Sequence, residues 1–487
     1  MSAGARTVRI VEAATVPPGG GGEGREEARL AHNVGRARPV LRAECCKGCG
    51  RCVESCARDC LALGTEIHPV SGLVPVALDL AACTACGLCI EACPEPYGLV
   101  VDGDAAGAPA AAPRMPPDLP GARLTLPEGG ALFVKGTHAS AIGAILAGCR
   151  HFFGYPITPS TEGAELMAAL LPALGGTFLQ APSEVAAINM LYGCGGAGRP
   201  SMTFTSSPGF SLMLEGVSYL VGAEVPAVVV DVMRAGPGLG NIGPEQSDVK
   251  LACRGLGHGS THGVVLAPAT TQEMLDFTML AFDLAFLYRG PVVLLPDGHL
   301  GQMTGRVVLP DALLRPGLPG WAVSGDAAHR GNLVSSIHLR ESDQEAHNLH
   351  LFEKYARIAE AEQRAESFRC EDAEVVVVAV GTPARTAKGA VQALRAEGIA
   401  AGLFRPQTLW PFPVRHLLPA LRRARRVVVV EASDGQLEDE LRLALSHAGG
   451  PDGLAIQHVR RHGGFLPSQR EIVDAVRARP SGKAVAA

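Results

Sequence analysis

The sequence has no long basic run and no uninterrupted apolar stretch of membrane-spanning length. Its charges are few: Asp, Glu, Lys and Arg make up 19% of 487 residues, for a net charge of −5. Without a basic run there is nothing to grip a polyanion, so neither nucleic acid nor an anionic membrane surface is an expected partner. A transmembrane helix is not expected either. The most apolar helix candidate, residues 274–288, is interrupted by Asp276 and Asp283. Residues 1–10 lack the apolar core of a secretory signal, and a cytoplasmic protein is the expectation. Apolar side chains, by contrast, reach 47%, enough for large cores, and the length suits about three domains. There are fourteen cysteines, most of them crowded into one stretch, a pattern that belongs to a reducing compartment.

That stretch repeats one spacing twice. It reads Cys46-Lys-Gly-Cys49-Gly-Arg-Cys52-Val-Glu-Ser-Cys56 and then Cys83-Thr-Ala-Cys86-Gly-Leu-Cys89-Ile-Glu-Ala-Cys93-Pro94. Three thiolates two residues apart on a tight loop can grip three corners of an iron–sulfur cube. The fourth, displaced onto the following helix, points to the other cube. The spacing predicts a small α+β bacterial-type ferredoxin domain with two [4Fe–4S] clusters. One takes Cys46, Cys49, Cys52 and Cys93; the other takes Cys83, Cys86, Cys89 and Cys56. Zinc would use two separated Cys-x2-Cys pairs and would leave a third cysteine in each repeat unexplained. A disulfide framework belongs to small secreted domains. Three departures stand out. Ala57 replaces the proline that would follow the first repeat. Cys45 adjoins Cys46, although only Cys46 has the right spacing to Cys49. Cys60 is surplus and is expected to be a buried thiol rather than a ligand.

Composition divides the chain. Residues 1–40, with Pro17-Pro18 and a glycine run, are expected to be disordered. Residues 41–102 form the ferredoxin domain, its halves joined by a turn at 68–72 between strands at 61–67 and 73–78. Residues 103–129, rich in Ala, Pro and Gly, read as a linker. From 130 onward strand and helix alternate. The β-rich runs at 201–205, 227–232 and 291–295 read as strands of a parallel sheet buried on both faces, so 130–310 is one α/β domain. Its first helix, about 138–150, places Ala139, Ile142, Leu146 and Cys149 on one face, with Gly143, Ala144 and Gly148 allowing close packing on the sheet. A second α/β domain, 371–478, has strands at 374–380, 401–404 and 426–431 and helices at 383–397 and 436–448. Between them, 311–370 reads as an irregular connection.

Three features of the first α/β domain invite a ligand. Tyr155-Pro-Ile-Thr-Pro159 is stiffened by two prolines and sets Thr158 at a helix N-terminus, with Ser160 as cap. Backbone amides and a hydroxyl can hold a carboxylate or phosphate there, though a threonine in that position serves equally well as a cap. Glu184 opens an apolar helix behind Ser183, where a glutamate ordinarily meets only the helix dipole. Arg234 precedes the glycine-rich loop Ala-Gly-Pro-Gly-Leu-Gly-Asn241 at the end of a buried strand, the usual ligand position in an open α/β sheet. Those glycines match neither a dinucleotide fingerprint nor a P-loop.

Taken in order, GYPITPSTE (154–162), EVAAINMLYG (184–193), TSSPGFSLMLEG (205–216), RAGPGLG (234–240), LAPATTQEM (266–274) and RPQTLWPFP (405–413) resemble the α subunit of the 2-oxoacid:ferredoxin oxidoreductases. The similarity is nearest to the 2-oxoisovalerate (3-methyl-2-oxobutanoate) branch and covers about residues 130–473. The fused ferredoxin is similar to the small subunit of such enzymes. The resemblance implies a thiamine-diphosphate-binding-type parallel sheet domain followed by a transketolase C-terminal-like α/β domain. It also implies oxidative decarboxylation of a 2-oxoacid with coenzyme A, with electrons leaving through the clusters to ferredoxin. It assigns Glu184 to the aminopyrimidine of the cofactor, a carboxyl that tunes a base by hydrogen bonding, and gives Thr158 and Arg234 to the substrate carboxylate. The Gly-Asp-Gly motif by which thiamine enzymes hold Mg²⁺ and the diphosphate has no match, since Pro296-Asp297-Gly298 lacks the first glycine. A separate β chain is therefore expected to bring the metal and diphosphate, with a γ chain and an external ferredoxin as further partners. The segment RPQTLWPFP is expected to pack an interface. Alternatives are the same reaction on 2-oxoglutarate, pyruvate or indolepyruvate, and an electron-transfer scaffold without catalysis. Thr158, Glu184 and Arg234, present in the expected order, argue against the scaffold.

Overall fold

The structure, a computed structural model, describes residues 38–478 apart from 47, 70–73, 94–97, 102–121, 126–130, 316 and 452. The segment read as disordered lies outside these residues up to position 37, as does most of the linker. The chain divides into two compact units near residue 115.

In the first unit, strand β1 (Pro39–Leu41) pairs antiparallel with β4 (Leu99–Val101), and β2 (Leu61–Leu63) with β3 (Val76–Leu78). The second pair is a shortened form of the strands read at 61–67 and 73–78. Two short helices, Arg51–Ser55 and Leu88–Glu91, each follow a glycine with left-handed backbone, Gly50 at φ 76° and Gly87 at φ 82°. Glycine takes that conformation without steric cost. It carries the third cysteine of each repeat onto the start of its helix, where Cys52 and Cys89 pack against Leu61, Val76 and Leu99.

The second unit opens with two antiparallel pairs, β5 (Ala122–Thr125) with β14 (Ala312–Arg315) and β6 (Ala131–Lys135) with β13 (Thr304–Val308). β5 falls inside the stretch read as linker. The main sheet is built from β7 (His151–Gly154), β8 (Thr177–Gln180), β9 (Ser201–Thr205), β10 (Ala227–Asp231), β11 (Val264–Leu266), β12 (Pro291–Leu294) and β18 (Thr408–Trp410). Their spatial order is β18-β11-β12-β10-β9-β7-β8. All neighbours are parallel except β18, which runs antiparallel to β11. A second sheet places β15 (Ala365–Phe368), β17 (Ala401–Pro406), β16 (Val375–Ala379), β19 (Arg426–Glu431) and β20 (Ala455–Arg460) in that order, parallel except for β15.

The valine runs explain the layering. Side chains alternate across a strand, so Val229 enters one core while Val228 and Val230 enter another. Val376 and Val378 of the second sheet join Val229, whereas Val375 and Val377 fill a third core. One apolar core therefore lies between the two sheets.

Two expectations are corrected. The helix Gly136–Leu146 shares a core with the sheet residues Phe152, Val228 and Val230, but its close-packed glycine face meets the helix Thr271–Tyr288. A β-carbon at Gly143 would stand 2.5 Å from the carbonyl oxygen of Leu275. The region 311–370 is not irregular throughout, because it contains the 21-residue helix Glu341–Ala361. Only the C-terminal half of that helix meets the core, through Leu351, Tyr355 and Ile358, and its polar first half masks the period. Lys354 on the same face is buried and pairs with Glu224 at 2.9 Å. No helix among the described residues is long and apolar enough to cross a membrane.

Candidate active site

The first unit brings the repeated cysteines together in two sets. Burial pushes the Cys52 thiol up, with Cys93, Cys46 and Cys49 adding to the effect through their charges. Burial also raises Cys89, with Cys56, Cys86 and Cys83 adding. Backbone amides donate to the sulfurs: Gly48 and Val76 to Cys46, Ala85 to Cys83 and Cys60 to Cys56, all at 3.4–3.5 Å. Amide bonds of this kind disperse the charge on cluster thiolates and tune their potential, so the donor set suits iron–sulfur cubes. Among the described residues no three Cys, His, Asp or Glu side chains converge as a single ion requires; a four-iron cube spreads its ligands wider. Cys60 is buried, with its thiol pushed up to about 11 by burial first and by Cys56 next. Cys45 closes the one-turn helix Ala43–Cys45.

The second site lies at the carboxyl ends of β9 and β10. Ser183 caps the helix Glu184–Gly196, accepting from the Ala186 amide at 3.2 Å. With the cap filled by serine, the Glu184 carboxylate turns inward. It is 6% exposed and accepts no hydrogen bond among the described residues. Facing it is Gly209, in the first turn of the helix Ser207–Gly222. A β-carbon there would stand 2.6 Å from Glu184 Oε1 and 2.4 Å from Thr205 Oγ1. Thr205 Oγ1 is buried and also without a partner. A buried hydroxyl left unpaired costs roughly 1–3 kcal/mol. Gly209 lets both groups approach the helix closely, and a carboxylate beside an unpaired hydroxyl is a set of partners that the ring nitrogen and amino group of a thiamine pyrimidine would suit.

Arg234 follows β10. Its Nη1 donates to the Thr158 carbonyl at 2.9 Å and its Nη2 to the Leu239 carbonyl at 3.1 Å, while its Nε is buried without a partner. Thr158 and Arg234 are thus together, but Thr158 is not at a helix N-terminus. It precedes Pro159, which disfavours helical backbone, and the helix Thr161–Leu170 begins three residues later. Ser160 stands at the N-cap position of that helix, but its hydroxyl makes no capping bond and donates back to the Ile157 carbonyl at 2.7 Å. The glycine-rich loop after Arg234 is tied to the second α/β domain by Asn241 Nδ2, which donates to the Gly463 carbonyl at 3.1 Å. Its Leu239 and Ile242 side chains are exposed.

Asp297 is fully committed to structure. Its Oδ1 accepts from the Leu300 amide at 3.0 Å and the Thr382 hydroxyl at 2.7 Å, and its Oδ2 accepts from the Thr382 amide at 2.7 Å. The residues around Pro296-Asp297-Gly298 therefore do not fit a Mg²⁺–diphosphate site. Sequence reasoning missed Thr205, Ser207, Asp231 and Asp248. Ser207 Oγ accepts from the Arg234 amide at 3.0 Å and contacts Asp248 Oδ2. Of these four, only Asp231, an acid closing the apolar run Ala-Val-Val-Val-Asp, carried a signal that could have been read.

Comparisons with known proteins converge on one family. Residues 142–348 match a family described as pyruvate flavodoxin/ferredoxin oxidoreductase, thiamine diphosphate-binding. Residues 373–472 match core domain II of pyruvate:ferredoxin oxidoreductase. The ketoisovalerate oxidoreductase subunit VorB of Methanothermobacter thermautotrophicus is 48% identical over 346 residues, 71% of this chain and 96% of that protein. The 2-oxoglutarate synthase subunit KorA of Archaeoglobus fulgidus is 39% identical over 315 residues, 63% and 90% respectively. The solved 2-oxoglutarate:ferredoxin oxidoreductase from Magnetococcus marinus, with 2-oxoglutarate, coenzyme A and succinyl-CoA bound, superposes with a TM-score of 0.66 at 28% identity. That match covers 71% of this chain and 65% of the other.

Proposed function

Because this chain belongs to the 2-oxoacid:ferredoxin oxidoreductases, as an enzyme subunit of the ketoisovalerate type, we propose that it is the α subunit for oxidative decarboxylation of a branched-chain 2-oxoacid. Coenzyme A takes the acyl group, carbon dioxide leaves, and two [4Fe–4S] clusters, on the two sets of four cysteines, carry the electrons to ferredoxin.

The observation that supports this assignment most is Glu184: a glutamate only 6% exposed, whose Oε1 lies against Gly209 beside a buried Thr205 hydroxyl that has no partner. Thiamine diphosphate, when bound, supplies the nucleophilic carbon and the electron sink. Glu184 Oε1 then holds a proton at the ring nitrogen, an interaction strengthened by exclusion of water, and Thr205 Oγ1 offers a second polar contact. Arg234 takes the substrate carboxylate through a charge-assisted bond, helped by the Thr158 hydroxyl. The apolar Leu239 and Ile242 on the loop beside Arg234 favour a branched-chain substrate over 2-oxoglutarate, whose second carboxylate would call for another cation.

With Asp297 occupied elsewhere, Mg²⁺ and the diphosphate belong to a β chain. A γ chain completes the complex, which works in the cytoplasm. The test is the complex reconstituted with its β partner, supplied with coenzyme A and a panel of 2-oxoacids, and read by viologen reduction. Glu184→Ala should abolish turnover while leaving the visible absorbance of the clusters unchanged. Unaltered turnover would remove Glu184 from catalysis, and preference for 2-oxoglutarate would overturn the substrate assignment.

A further inference from the structure

β10 ends in Asp231, whose side chain is fully buried. By alternation it falls on the same side of the sheet as Val229, beneath the helices Ser207–Gly222 and Asp248–Arg254. Neither of its carboxylate oxygens meets a donor among the described residues. The ionisable group that acts on it is another carboxyl, Asp248. Two neighbouring carboxyls, one wholly and one partly buried, repel each other when both are charged, and one proton between them turns repulsion into a hydrogen bond. Burial, together with Asp248, raises Asp231 well above the usual carboxylate range. Asp248 is pushed up to about 6 by burial, with Ser207 and Asp231 pulling the other way.

The other ionisable groups nearby do not replace that proton. Glu245, on the preceding loop, only adds negative charge to Asp248. Arg254, on the Asp248 helix, is paired with Glu440 of the adjoining helix. Lys250 is exposed.

Ser207 connects the pair to the candidate substrate site. Its hydroxyl contacts Asp248 Oδ2 and accepts from the Arg234 amide at 3.0 Å. With Asp248 ionised and Asp231 protonated, the donors run in one direction, the Arg234 carbonyl at 3.2 Å being the only other acceptor recorded for the Ser207 proton among the described residues. The Arg234 amide donates to Ser207, Ser207 donates to Asp248, and Asp231 donates to Asp248 from the other side. We propose that Asp231 and Asp248 share one proton and, through Ser207, act as positioning residues that fix the backbone of Arg234 and so aim its guanidinium at the substrate carboxylate. The link to substrate rests on the function proposed above for Arg234; the shared proton does not.

The experiment uses the reconstituted complex and three variants of this chain. Infrared difference spectra in water and heavy water should show the carbonyl band of a buried carboxylic acid at neutral pH in the parent and in Ser207→Ala, and not in Asp231→Asn. Its absence from the parent overturns the shared proton. Asp231→Leu leaves Asp248 without its donor, and Ser207→Ala cuts the connection. Each should raise KM for the 2-oxoacid about fivefold to tenfold, the effect of one hydrogen bond, with kcat nearly constant. Asp231→Asn, whose amide still donates to Asp248, should restore KM. Unchanged KM in Ser207→Ala, which removes one hydroxyl and does not threaten folding, overturns the positioning role even if Asp231→Leu does not fold. If Arg234→Lys also leaves KM unchanged, the fault lies in the assignment of Arg234, and the infrared result stands apart from it.

Discussion

Replacing Gly209 by alanine probes this close approach directly. The added β-carbon would stand 2.6 Å from Glu184 Oε1, 2.8 Å from Glu184 Cγ and 2.4 Å from Thr205 Oγ1. Ordinary contact begins near 3.4 Å, so the carboxylate must retreat by roughly 0.8 Å. Thr205 gives less easily, because a β-branched side chain on a buried strand has little rotamer freedom. The Thr205 contact is relieved by a shift of the helix or strand of roughly 1 Å, and the Glu184 carboxylate is displaced with it. A displacement of about 1 Å in a catalytic group can cost about 100-fold in rate, and kcat of the reconstituted complex should fall by that order in viologen reduction. Stability should change far less. Alanine gains about 1 kcal/mol over glycine in a helix, set against about 1–3 kcal/mol for overpacking, so urea unfolding should show a net loss of no more than ~2 kcal/mol. Gly193, on the Glu184 helix with nothing within 4 Å of its missing β-carbon, is the control. Gly193→Ala should stabilise by about 1 kcal/mol and leave turnover alone. If Gly209→Ala keeps kcat within about threefold of the parent, Glu184 does not work through that close approach.

Asp297→Ala strands two buried donors, the amides of Leu300 and Thr382, and should lower the unfolding free energy by about 3 kcal/mol without altering the Mg²⁺ requirement; the reverse pattern would make Asp297 a metal ligand. Cys89→Ser should cut iron and sulfide from about eight to about four per chain, whereas loss of all iron, or none, would contradict two separate sets of four. Asp248 offers a pH signature. Its folded pKa, raised from 3.8 to about 6, means the native state binds the proton more tightly, so this contribution to stability is full below about pH 4 and is lost as pH rises through 6. Asp248→Asn should flatten that fall in urea titrations between pH 4 and 7, and an unchanged slope would place the proton elsewhere.

What could be read from the chain follows from how local each cause is. The cluster cysteines sit in two short repeats, so their sorting into sets needed only spacing. β10, β12 and β19 were legible because valine runs buried on both faces leave a continuous apolar signature. The helix Glu341–Ala361 escaped because its first half touches no core, although Leu351, Tyr355 and Ile358 keep helical spacing. Thr158 was misplaced by taking the two prolines as a helix start when they hold the residue outside it. Thr205, Ser207 and Gly209 matter only because β9, β10 and the helix between them converge, and no window of sequence contains that convergence.

β18 belongs by sequence to the second α/β domain yet hydrogen-bonds as the last strand of the first domain's sheet. Trp410 on it stacks on His262 with ring centroids 4.7 Å apart. Swinging the two lobes apart would mean unzipping a strand, so they should melt as one cooperative body. Expressing residues 131–368 alone would bare the edge of β11, an invitation to stick to another chain, and the fragment should aggregate where the full-length protein does not.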